Sequence, residues 1–79
     1  MGIYVQIQKK SSANGVSNYM FSNEFGTGEF SINEKTGALI YYKQMPNDPR
    51  KLFFSRAAYK IVKSWEKNGK LPDSEIWSS

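Results

Sequence analysis

"SRAAYKIVKSWEKNGK", Ser55 to Lys70, decides how the rest of the chain is read. With Ser55 as N-cap and 100° per residue, Ala57, Ala58, Ile61, Val62 and Trp65 fall within an arc of about 140°. That single apolar stripe predicts an amphipathic helix with one face to bury. Asn68-Gly69 supplies its stop and Pro72 follows. Asp48-Pro49 is a rival start signal. It would set Arg50 and Lys51 on the apolar arc and Leu52 off it, so the start at Ser55 is preferred. A lone helix must bury its stripe against another layer.

The upstream half supplies that layer, because it alternates and is punctuated by glycine. A first strand is expected from Ile3 to Lys9, with Ile3, Val5 and Ile7 on one face. A second is expected from Asn18 to Phe25, with Tyr19, Phe21 and Phe25 inward. A three-residue loop, Ala13-Asn14-Gly15, sets Ile7 against Phe21 and Ile3 against Phe25. A turn at Thr27-Gly28 sets Phe25 against Phe30, and a third strand runs from Glu29 to Asn33. A further turn with Gly37 left-handed sets Ile32 beside Ile40 and Phe30 beside Tyr42 in a fourth strand, Ala38 to Gln44. Pro46 and Pro49 end the sheet.

The expected fold is therefore α+β: a four-stranded antiparallel β-meander with one C-terminal α-helix packed on one face, in the order ββββα. At 79 residues it forms one domain, 1–79, with 71–79 as an extended tail. The chain is 39% hydrophobic and 15% aromatic, which is enough to build a small core. The expected core is the inward set above together with Ala58, Ile61, Val62 and Trp65.

Much chemistry is excluded by composition. With no cysteine there is no disulfide, thiolate metal site or cysteine nucleophile, and a reducing compartment is a natural setting. With no histidine the usual general base and the commonest metal ligand are missing. "MGIYVQIQKK" has no apolar run suited to a signal peptide or membrane span, so a soluble, cytoplasmic protein without membrane contact is expected. Glu24 and Glu29 are a carboxylate pair beside a hairpin turn, where solvated surface is the ordinary reading. "GTG" leads into a strand rather than a helix and reads as a turn, not a phosphate loop. No catalytic residue, metal ligand, cofactor or small-molecule ligand is assigned, and the chain is read as non-enzymatic.

Charge is the positive clue. Residues 1–49 carry four lysines and four acids, whereas 50–70 carry seven cations against Glu66. On the helical wheel Arg56, Lys60, Lys63 and Lys67 fall within about 60°, opposite the apolar stripe. Two readings stand side by side: a solvated polar face, or a surface for nucleic acid or another acidic macromolecule. The second sheet face is the other candidate. Tyr4, Gln6, Tyr41 and Lys43 lie there with Gln8, Met20 and Leu39, as a platform for unpaired bases or as a surface for a protein partner or a second copy. A competing expectation is that Ile76 and Trp77 fold back over Met20, Leu39 and Tyr41.

"FSINEKTGALIYYKQMP", followed by "SRAAYKIVKSW" and "LPDSEIW", resembles short single-domain bacterial proteins of unknown function. The likeness spans Phe30 to Trp77 and implies no activity.

Overall fold

The computed structural model describes residues 4–78. Strands β1 (Tyr4–Ala13), β2 (Val16–Asn23), β3 (Gly26–Asn33) and β4 (Leu39–Lys43) are followed by a 3₁₀ turn (Pro49–Lys51), helix α1 (Leu52–Asn68) and strand β5 (Ser74–Ser78). One antiparallel sheet has the order β4-β3-β2-β1-β5. The α+β class and the single helix agree with the sequence reading, but the sheet has five strands, not four. The tail is a strand because Ser74–Ser78 finds the open edge of β1, with Trp77 opposite Val5 and Ile76 opposite Gln6. Its approach is pinned by the Lys9 N–H donating to the Asp73 carbonyl at 2.8 Å and the Tyr19 hydroxyl donating to the Pro72 carbonyl at 2.6 Å.

Each hairpin departs from expectation for an identifiable reason. Ile7 does face Phe21, but through a two-residue turn at Asn14-Gly15, both left-handed. That is the geometry Asn-Gly favours. The extra residue falls in β1 instead, as a bulge between Lys9 and Ser11.

Between β2 and β3 the turn sits at Glu24-Phe25, with the Phe25 N–H donating to Asn23 Oδ1 at 2.8 Å. Phe30 therefore faces Tyr19, Ile32 faces Ser17 and Gly28 faces Phe21. Phe25, expected in the core, is 50% exposed and stacks on Phe53. The site opposite Phe21 admits no side chain: a Cβ on Gly28 would stand 2.5 Å from the Phe21 ring.

Gly37 is left-handed as expected, but Ile32 pairs with Leu39 and Ser31 with Ile40. A second bulge follows before Glu29 pairs with Lys43. Ile40 is consequently 63% exposed and Tyr42 half-exposed, so neither is core. Tyr41 turns to the helix side, away from the open face, and stacks on Phe54 at 4.2 Å. Ile3 lies outside the described residues.

The helix begins before Ser55, and the rival signal sets its start. Asp48 Oδ1 accepts the Phe53 N–H at 2.6 Å and Oδ2 the Phe54 N–H at 3.2 Å. Arg50 and Lys51, both left-handed, bring the chain from Pro49 into that position. Phe53 is buried and Phe54 packs on the core with Ala57 and Ile61, while Val62 and Trp65 are only partly buried. Gly69 ends the helix left-handed, its N–H on the Trp65 carbonyl at 2.8 Å. Val5, Ile7, Tyr19, Phe21, Phe30 and Ile32 form the sheet half of the core, with Met45 and Leu71 closing its margins.

Two substitutions test this packing. Gly28→Ala forces a methyl into the Phe21 ring and is expected to destabilise by ~1–3 kcal/mol in urea melts. Asp48→Ala removes two helix-start hydrogen bonds and is expected to cost ~2 kcal/mol, a large share of the stability of so small a domain.

Candidate functional site

α1 buries one stripe and leaves the other outward, but the four cations on it differ. Arg56 is half-buried, and its guanidinium lies 5.3 Å from the Trp77 ring centroid. Arg56 Nε and Trp77 Nε1 are both buried without a hydrogen-bond partner among the described residues. Lys63 Nζ stands 3.8 Å from Glu66 and 5.7 Å from the Tyr59 ring centroid. Lys60 is half-buried and Lys67 is exposed. The stripe is thus a row of lysines, with Arg56 drawn onto β5 at its first turn.

Among the described residues no element covers the opposite face of the sheet. Trp77 stays on the helix side, edge-on to Tyr59 at 5.7 Å, and covers none of it. Ile76 is half-exposed beside Gln6 at the β5 margin of this open face. Tyr4 and Gln6 lie there as expected, with Gln6 Nε2 donating to the Tyr4 hydroxyl at 2.9 Å. Lys43 lies there too, whereas Tyr41 donates from the helix side to Asp48 at 2.7 Å. Desolvation and that carboxylate push the Tyr41 hydroxyl up to about 12, so it remains a donor.

On the open face, one strand in from the β4 edge, Glu29 belongs to a cluster that its sequence reading as a surface partner of Glu24 did not foresee. Glu29 is only 8% exposed although no layer of the described residues covers it. Its Oε1 accepts from Lys10 Nζ at 2.9 Å and from the Tyr42 hydroxyl at 3.0 Å. Lys43 Nζ lies 3.6 Å from Oε2. The Lys10 hydrogen bond holds the carboxyl below its ordinary value of 4.5; burial opposes it and Tyr42 assists. Both bulges contribute: one lies at Lys10, and the other falls where β4 presents Tyr42 and Lys43. The structure therefore separates Glu29 from Glu24, which sits exposed at the turn. The one sequence signal for this was Gly28, whose close contact with Phe21 goes with the register that sets Glu29 on the open face.

An open cleft of about 590 Å³ lies at the other end of the core, lined by Phe25, Pro46, Pro49 and Phe53. Its carboxylate, Asp48, is already committed to the helix. Among the described residues no three acidic side chains converge as a metal site, and no helix is long and apolar enough to cross a membrane. Comparison with protein families, curated proteins and solved structures finds no match to this chain.

The Glu29 cluster has a signature in pH. Its lowered folded value means that its contribution is present above the ordinary glutamate range and is lost as pH falls through the folded value. Glu29→Gln is expected to melt earlier than wild type near neutrality, with the gap closing as pH falls below the ordinary glutamate value of 4.5. A gap independent of pH would assign the loss to packing alone.

Proposed function

We propose that this chain is a small non-enzymatic binding module for an anionic macromolecule, nucleic acid first, engaged through the outward face of α1 in a cytoplasmic setting. The observation that carries the reading is the row Lys60, Lys63 and Lys67, with Glu66 as the one acid on the helix. Like charges at three- and four-residue spacing each cost ~0.2–0.5 kcal/mol, which an anionic partner would offset. From Lys60 to Lys67 the row runs seven helical rises, about 10 Å, a length suited to successive phosphates. Arg56 is a positioning residue here, its cation turned toward Trp77.

Anisotropy titrations of labelled oligonucleotides across a salt series test the reading. With three lysines engaged, log K is expected to fall against log salt with a slope of about −2 to −3. Lys60→Glu/Lys67→Glu should abolish that component without lowering Tm. Absence of any salt-sensitive binding would overturn the proposal.

A protein partner or a second copy on the open face is the second reading. It is favoured by Ile40 and Ile76, exposed aliphatic side chains on a face with no covering layer. Sedimentation that depends on concentration would point to self-association.

A further inference from the structure

We infer that the open sheet face binds single-stranded nucleic acid, with Tyr4 and Tyr42 stacking bases while Lys10 and Lys43, held by Glu29, contact phosphate. The inference rests on the nucleic-acid reading above but uses the opposite side of the molecule.

A carboxylate buried on a sheet face costs free energy unless it is well paired. Glu29 is paired with two ammonium groups and one phenol. The lysine side chains remain 47% and 61% exposed. Each ammonium has three donors and directs only part of them at Glu29. The result is a fixed pair of cations with one net positive charge, positioned before any ligand arrives. β-Bulges often re-aim side chains at functional sites, and both bulges of this sheet lie where they serve this carboxylate.

The arrangement around the cluster favours nucleic acid over protein. A protein interface has an apolar centre and a polar rim. Here Met20 on the central strand is flanked by Gln8 and by the Glu29 cluster, Lys43 shares the edge strand β4 with Ile40 and Tyr42, and Tyr4 and Ile76 lie toward the other margin, so polar and charged groups reach across the face. Nucleic-acid surfaces are polar and positive, and single strands add aromatic platforms. Both tyrosine rings are half-exposed and each is tethered by its hydroxyl, Tyr4 to Gln6 and Tyr42 to Glu29. They stand on strands three spacings apart, about 14 Å across the sheet, and Tyr4 lies about four residues, ~13 Å, along β1 from the level of Lys43, with room for a few nucleotides between the rings. Gln6 and Gln8 offer amides to base edges in that span. A duplex has its bases stacked inside and cannot use the rings, so an unpaired strand is the fitting ligand.

The test is titration of the full chain with a labelled single strand of about 12 nucleotides and with the matching duplex. Tyr4→Leu/Tyr42→Leu and Lys10→Gln/Lys43→Gln are each expected to weaken single-strand binding about tenfold or more and to spare duplex binding. Tyr4→Phe/Tyr42→Phe retains the rings and is expected to retain most of the affinity, which separates stacking from misfolding. If single-strand binding responds only to Lys60→Glu/Lys67→Glu, the open-face inference is wrong while the module reading stands. If neither nucleic acid binds, the module reading falls and this inference with it. Amide shifts on β1 and β4 that follow protein concentration rather than added strand would assign the face to a second copy and overturn it.

Discussion

The carboxylate of Asp48 joins the two layers. It accepts two backbone N–H groups at the start of α1 and the Tyr41 hydroxyl from β4. One short side chain thus ties the last strand of the meander to the first turn of the helix. The connection needs two consecutive left-handed residues, Arg50 and Lys51, each unfavourable by ~1–2 kcal/mol for an L-residue. The return is the burial of Phe53 and the stacking of Phe54 on Tyr41. The Tyr41 hydroxyl also accepts the Met45 N–H at 2.8 Å, so the chain leaving β4 is held at the same point. With that end fixed, α1 lies along one face of the sheet and its lysines face outward.

The far end of the helix completes the arrangement. Gly69 turns the chain, Leu71 plugs the core margin, and the Pro72 carbonyl receives the Tyr19 hydroxyl. β5 then has only one place to go, the edge of β1. There it covers backbone groups that would otherwise invite another strand. Trp77 lands on the helix side and draws in Arg56. The same event that removes an arginine from the basic stripe therefore keeps the tail off the open face.

Periodicity made the middle of α1 legible, because Ala57, Ala58 and Ile61 recur at helical spacing whatever precedes them. Its start was not legible: nothing in "PRKLFF" announces the two left-handed residues that let Phe53 and Phe54 join the apolar face. The Ile7–Phe21 register was reached through the wrong turn. A three-residue loop and a two-residue loop plus one bulge place the same residues opposite each other. Alternation cannot separate these cases, since it reports faces and not where an extra residue is absorbed. The β4 register failed for the same reason, with opposite consequences for Tyr41 and Ile40. Gly28 was read as turn chemistry, but its real constraint is the ring of Phe21 across the strand, a contact no local window contains.

This difference in legibility follows the kind of electrostatics each surface offers. The helix row is clustered in sequence, so counting charges finds it. Its lysines act mainly by charge density, and beyond a Debye length of about 8 Å their pull is screened at physiological salt. The Glu29 cluster joins residues from β1, β3 and β4, and its net charge is small. Its contribution is fixed geometry at short range, where each lysine is already oriented and less side-chain freedom remains to be lost on binding. A dense row of like charge suits capture of a charged chain from solution. A sparse, anchored pair flanked by tethered rings suits holding particular nucleotides in place. The two surfaces lie on opposite sides of the molecule, so each can be changed without touching the other.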